Sequence, residues 1–148
     1  MTRKEQAMEY FKEGYNCAQS VFLAFCDLTG FDKITALHIS APFGGGFGRQ
    51  REVCGAVSGM CMALGVLYGY DDATDTCAKA AHYKAVQDIC AEFRHRVGSI
   101  ICRELLNLSK QGVFDPVSEK RTAEYYQKRP CIELVGLAAK LAEEDLQV

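Results

Sequence analysis

Apolar residues recur with the period of an α-helix along most of the chain, and this pattern limits the fold more than any other feature of the sequence. Ala81, Ala85, Ile89 and Phe93, for example, follow one another at intervals of four. Alternating patterns, which are typical of half-buried strands, are nearly absent. The 148 residues, 49% of them hydrophobic, suffice for one core. We therefore predict a single all-α domain over residues 1–148, a compact bundle of six to eight helices.

Capping residues mark the predicted helix boundaries, because side-chain oxygens at an N-cap accept hydrogen bonds from free backbone N–H groups. The predicted helices cover residues 2–14, 16–30, 32–39, 53–68, 72–97, 99–106, 118–126 and 131–146. The predicted caps are Thr2, Asn16, Asp32, Ser99 and Ser118, and the predicted glycine terminators are Gly14, Gly30 and Gly98. Pro130 is predicted to be the first residue of the last helix. Residues 107–117 are predicted to form a loop.

A glycine-rich segment precedes the fourth predicted helix, with four glycines in the five positions 44–48. It predicts an irregular loop that turns sharply beside Cys54. Its basic neighbour Arg49 could also contribute to a phosphate cradle, but the residue order of a P-loop is missing. The helix that follows carries Gly55, Ala56 and Gly59, and such small residues indicate that another backbone packs very close to it.

Eight cysteines are the unusual element of the composition. The N-terminal region is charged and has no apolar stretch of secretory-signal type, and no apolar run reaches the roughly 18 residues of a membrane span. We therefore expect a cytoplasmic protein with thiols in a reducing compartment, where cysteines more often bind metals or exchange electrons than cross-link a fold. A net charge of −2 argues against a nucleic-acid partner.

The cysteines fall into two sets on the predicted helices. The first set lies in predicted first turns, where the helix dipole lowers a thiol pKa and favours a nucleophile or a metal ligand; it comprises Cys17, Cys54, Cys102 and Cys131. The second set is predicted to lie later in helices and to act as small buried hydrophobes; it comprises Cys26, Cys61, Cys77 and Cys90.

The segments around the first set resemble the C_GCAxxG_C_C family, which is named after its cysteine pattern. The resemblance spans about residues 14–136. The matching segments are Gly44-Gly45-Gly46-Phe47-Gly48-Arg49, Cys54-Gly55-Ala56-Val57-Ser58-Gly59, Asn16-Cys17-Ala18, Cys102-Arg103-Glu104-Leu105-Leu106 and Cys131-Ile132-Glu133-Leu134-Val135. The resemblance implies redox activity without a general reaction. It also implies a link to transport systems, because family members are often associated with transporter loci.

Two mechanisms remain open for the first set of cysteines. They could cycle between dithiol and disulfide with an unknown redox partner, one thiolate attacking and a partner from another helix resolving. Alternatively, all four could hold an iron–sulfur cluster or zinc. In either case we expect the four cysteines to gather in one pocket. The candidate cofactor-binding residues beside them are Gly55, Ala56, Gly59 and Arg49.

A third interpretation is a helical interaction module whose cysteines are only buried. Under any of these interpretations, the small-residue helix at 55–65 could pack within one chain or in a homodimer.

Overall fold

The computed structural model describes residues 1–108 and 115–148. In these ranges the chain is helical, and its single strand-like pairing is an antiparallel bridge between Val53 and Ile101. The all-α prediction is therefore confirmed. The helices are α1 (Arg3–Lys12), α2 (Cys17–Leu23), α3 (Cys26–Thr29), α4 (Lys33–Ser40), α5 (Gly44–Phe47), α6 (Gly55–Tyr68), α7 (Thr76–Val97), α8 (Cys102–Leu105), α9 (Ala123–Lys128) and α10 (Cys131–Leu146). None of the helices in the described ranges combines the length and apolarity needed to cross a membrane.

Several helix starts and stops follow local chemistry as predicted. Thr2 and Asn16 each form a capping box, in which the cap side chain and the residue three positions on satisfy each other's backbone N–H groups. Asp32 accepts a hydrogen bond from the backbone of Thr35 at the start of α4. Gly98, with a φ of 95°, ends α7 in the left-handed conformation.

Two predicted helix starts are wrong because other side chains cap better. Helix α7 begins after Asp75, which accepts from the Ala78 N–H, whereas Asp72 bonds within a turn to Thr74. Helix α9 begins after Thr122, not Ser118. The predicted loop at 107–117 lies partly outside the described residues.

Three further boundaries differ because tertiary contacts override local preference. The predicted helix at 16–30 breaks into α2 and α3 around Phe25, whose side chain is fully buried. Ile101 is held by its bridge to Val53, so α8 begins at Cys102 and not at Ile100 after a Ser99 cap. Pro130 is the N-cap of α10 and not its first residue.

The glycine-rich segment has the predicted irregular backbone. A short 3₁₀ turn at Ala41–Phe43 leads into α5, inside which Gly46 has a left-handed φ of 70°. A Cβ atom on Gly46 would lie 2.6 Å from the Cβ of Cys102, so only glycine fits there. The segment therefore packs directly against the start of α8.

Helix α10 is central to the bundle and packs against α1, α2, α6 and α7, while α6 also packs along α2. A Cβ atom on Gly59 would lie 2.7 Å from the carbonyl oxygen of Ala18, which confirms the predicted close approach of another backbone to α6. Fully buried side chains such as Phe11, Met60 and Phe93 fill the core. These contacts fix the relative positions of α2, α6 and α10, whose N-terminal ends carry cysteines.

Candidate functional site

One cavity of about 400 Å³ is lined by Cys17, Cys54, Cys102 and Cys131. Its volume lies within the range of small-molecule pockets. Cys17 is the first residue of α2 and Cys131 the first residue of α10. The structure therefore brings together the four cysteines that the sequence singled out, although 29 to 48 residues separate consecutive members.

The bridge between Val53 and Ile101 places Cys54 beside Cys102. The Cys54 N–H donates to the carbonyl of Ile100 at 2.8 Å, and the Cys102 N–H donates to the carbonyl of Glu52 at 2.6 Å. Because side chains alternate along an extended backbone, both thiols leave the same face of the bridge. Cys54 and Cys102 are both buried. A single β-bridge thus positions two of the four cavity cysteines.

Cys131 has the electrostatic environment of a reactive thiolate. A hydrogen bond from the Cys17 thiol is the main cause that lowers the pKa of Cys131, to about 6, against the opposing effect of burial. A hydrogen bond from Tyr125 and the positive charges of Arg129 and Arg51 lower it further. The N-terminal end of the 16-residue helix α10 adds a favourable dipole. At neutral pH Cys131 is therefore mainly a thiolate.

Cys17 is the protonated partner in this pair. Its hydrogen bond to Cys131 raises the pKa of Cys17 well above its usual range, and burial and the charge on Cys131 act in the same direction. The pair therefore carries one proton and one negative charge, with the charge on Cys131. This is the arrangement of an attacking sulfur beside a resolving sulfur.

The predicted lowering of the pKa is wrong for Cys17, Cys54 and Cys102. Burial raises the pKa of Cys54 to about 12, even though the N–H groups of Ala56 and Val57 point at its sulfur. Burial also raises the pKa of Cys102, against the effect of Arg51. Desolvation of the charged form outweighs the helix terminus at both sites.

Arginine side chains give the cavity a positive wall. Among the described residues that line it are Arg49, Arg51, Arg121 and Arg129, with Glu119 as the acidic residue. Arg51 Nη1 lies 3.7 Å from the sulfur of Cys102. Arg129 pairs with Glu119, and Arg121 bonds to backbone carbonyls and stacks over Phe11.

Arg49 has spare hydrogen-bonding capacity inside the cavity wall. Its Nη1 atom is buried, and no described residue accepts a hydrogen bond from it. A buried guanidinium donor without an acceptor is costly. A negatively charged molecule in the cavity would satisfy it.

Two of the four candidate cofactor-binding residues, Gly55 and Arg49, line the cavity. Ala56 and Gly59 are instead buried in the bundle, and Gly59 lies against α2. Their position serves the packing of α6 and does not expose them to a bound molecule.

Tyr125 is a residue whose role the sequence alone did not reveal. It lines the cavity and hydrogen-bonds to Cys131, and burial together with the charge on Cys131 raises its pKa. Arg129 and Arg121 were also missed. Their short distance from Cys131 in the sequence could have pointed to two of these residues, because Tyr125 and Arg129 precede Cys131 by six and two positions.

The second set of cysteines does not follow the predicted pattern throughout. Cys26 is the first residue of α3 and Cys77 the second residue of α7, so both lie in first turns, and Cys77 is exposed. A first-turn position therefore does not by itself select the cavity cysteines. Cys61 and Cys90 contact each other between α6 and α7.

The side chains do not fit a metal centre as the described residues place them. No group of three or more His, Cys, Asp or Glu side chains in the described ranges comes together in a way that could hold an ion.

The fold and the cavity define an all-α protein whose cysteines, drawn from separate helices, meet at one pocket. The chain belongs to the family described as "Putative redox-active protein (C_GCAxxG_C_C)", whose model matches residues 15–145. The family predicted from the sequence motifs is thus confirmed. No curated protein and no solved structure matches the chain significantly.

Proposed function

We propose that this protein is a thiol–disulfide redox protein in which Cys131 is the nucleophile and Cys17 is the resolving cysteine. The observation that carries the proposal is the pairing of a Cys131 thiolate, with a pKa of about 6, and a protonated Cys17 in one cavity. Thiolates and not thiols attack disulfides. The family description as redox-active supports the same class of chemistry.

In the first step, the Cys131 thiolate attacks one sulfur of a substrate disulfide. A bond forms between Cys131 and that sulfur, the substrate's own disulfide bond breaks, and the other half leaves as a thiolate. The negative charge thus moves from Cys131 to the leaving group. Arg51 and Arg129 favour the charge on Cys131 and would also favour the developing charge on a leaving sulfur beside it.

In the second step, Cys17 attacks the Cys131 sulfur of the mixed disulfide. The Cys131 charge that helps to raise the pKa of Cys17 disappears when the mixed disulfide forms, so Cys17 loses its proton more readily. The proton passes to the first leaving thiolate. The bond between Cys131 and the substrate sulfur breaks, the second half of the substrate leaves as a thiolate, and the protein ends with a Cys17–Cys131 disulfide. The substrate has gained two electrons and becomes two thiols once this second thiolate takes a proton from water.

The substrate class that best suits the cavity is a small disulfide with a negative charge. The positive wall and the free Nη1 donor of Arg49 favour carboxylate or phosphate groups near the reacting sulfur. The cycle would be closed by an external dithiol reductant in a reducing compartment such as the cytoplasm.

The proposal is tested by trapping the mixed disulfide with Cys17→Ser. Incubation with glutathione disulfide should leave one glutathione on the tryptic peptide 129–140, which contains Cys131 and no other cysteine. Wild-type protein should release it and form the Cys17–Cys131 disulfide. Cys131→Ser should block both reactions, and Cys26→Ser, which removes a cysteine outside the cavity, should behave as wild type.

The proposal fails if peptide 129–140 of Cys17→Ser takes up glutathione no faster than the peptide 97–103 that contains Cys102. It also fails if protein purified without oxygen holds stoichiometric iron or zinc that is lost in Cys54→Ser. That outcome would establish a metal-binding function for the same cysteines.

A further inference from the structure

A second pair of cysteines lies outside the cavity. Cys61, in the middle of α6, and Cys90, in α7, place their sulfur atoms 3.8 Å apart. The two residues are 29 positions apart in sequence and come from helices that pack side by side. Neither residue lines the cavity described above.

The pair has one acidic and one protonated sulfur. A hydrogen bond from Cys61 lowers the pKa of Cys90 to about 7, with help from the charge of Arg94, against the opposing effect of burial. The same hydrogen bond raises the pKa of Cys61, as does burial. Both side chains are partly buried at the edge of the core, so a small reagent can reach them.

The two sulfurs need to move only about 2 Å closer to form a bond of normal length. Cys61 follows Cys54, the N-cap residue of α6, by seven positions, which corresponds to about 10 Å along the helix axis. The pair is therefore too far from the cavity thiols to exchange with them directly, and it reacts as a separate unit.

We propose that Cys61 and Cys90 form a second redox-active dithiol, oxidised by low-molecular-weight disulfides to a reversible cross-link between α6 and α7. The Cys90 thiolate attacks the small disulfide and releases one half as a thiolate. The Cys61 sulfur then attacks Cys90 and releases the second half, while its proton goes to a leaving thiolate. The pair loses two electrons and the Cys61 proton, and the small disulfide becomes two thiols after the other leaving thiolate takes a proton from water.

The test uses the whole chain with the substitution Cys77→Ser. Cys77 is exposed and lies in the same tryptic peptide, 52–79, as Cys61, so its removal simplifies the disulfide map. The protein is equilibrated with glutathione disulfide, alkylated, digested and analysed by fragmentation mass spectrometry. We expect peptide 85–94, which carries Cys90, to be linked to peptide 52–79 through Cys61. Dithiothreitol should reverse the link, and its formation should raise the melting temperature because it closes a loop in the unfolded chain.

Cys61→Ala and Cys90→Ala should each abolish the link, whereas Cys26→Ser should retain it. The melting temperature is compared in a Cys131→Ser background, where no Cys17–Cys131 disulfide can form, and there Cys61→Ala and Cys90→Ala should also abolish the shift. A Cys131→Ser variant separates this proposal from the proposed function, because the link should still form without the cavity nucleophile. The proposal is overturned if Cys61 and Cys90 are alkylated completely and independently after every oxidation. It is also overturned if Cys90 is found linked only to Cys54. Circular dichroism of each variant verifies that its helices are intact.

Discussion

The hydrogen bond between Cys17 and Cys131 makes a quantitative prediction about reactivity. Hydrogen bonds to charged groups contribute about 1.5–3 kcal/mol, and a change of one in pKa corresponds to about 1.4 kcal/mol. Cys17→Ala should therefore raise the pKa of Cys131 from about 6 to between about 7 and 8. The thiolate fraction at pH 7 then falls from about nine-tenths to between about one-half and one-tenth, and alkylation slows by about two- to tenfold.

The assay is the rate of iodoacetamide labelling of peptide 129–140 as a function of pH. Cys17→Ser is the matched variant, because its hydroxyl can still donate to Cys131, and it should stay closer to wild type than Cys17→Ala. Cys54→Ala removes a cavity thiol that does not hydrogen-bond to Cys131 and should leave the midpoint near 6. Equal midpoints in Cys17→Ala and wild type would refute the assignment of Cys17 as the main stabiliser of the thiolate.

The remaining predictions concern stability and substrate charge. The lowered pKa of Cys131 stabilises the folded protein fully at pH values above the unfolded-state pKa of about 8.5, and this stabilisation is lost as the pH falls through about 6. The free energy of unfolding should therefore rise by up to about 3 kcal/mol between about pH 6 and 8.5. Urea titrations should show a much smaller rise in Cys131→Ser. Gly46→Ala should cost about 1–3 kcal/mol in urea unfolding through its clash with Cys102 and its left-handed φ, whereas Gly65→Ala, with open space around its Cβ position, should be neutral or stabilising; equal effects would contradict this. Arg49→Gln should lower kcat/KM for a dicarboxylic disulfide by about tenfold, because a charged hydrogen bond to the substrate is lost, and should leave kcat/KM for a neutral disulfide unchanged. Equal losses with both substrates would rule out charge recognition.

The helical periodicity and the capping residues predicted much of the fold, because both act over a few neighbouring residues. Thr2, Asn16 and Asp32 cap as their side chains dictate. Phe25 could not be foreseen as a helix break, since its burial depends on helices that are distant in sequence. The bridge at Val53 and Ile101 is likewise a long-range contact with almost no local signal.

The cysteines around the cavity were found from the sequence, but their different chemistry was not. Helix position alone predicts a low pKa for all of them, whereas burial reverses the effect at Cys54 and Cys102. Only the neighbours of Cys131, including Tyr125, decide which sulfur carries the charge. The contact of Cys61 with Cys90 depends on the packing of α6 against α7, which no spacing rule gives.

The central claim is that Cys131 and Cys17 together give two electrons to a substrate disulfide and end as a Cys17–Cys131 disulfide. The most direct measurement is a map of the disulfides in the protein after oxidation by one equivalent of a small anionic disulfide. In a Cys26→Ser background, the tryptic peptide 13–33 contains Cys17 as its single cysteine. We predict that it is linked to peptide 129–140, and that peptide 97–103 keeps a free Cys102. A link between Cys54 and Cys102 with free thiols at Cys17 and Cys131 would contradict the account.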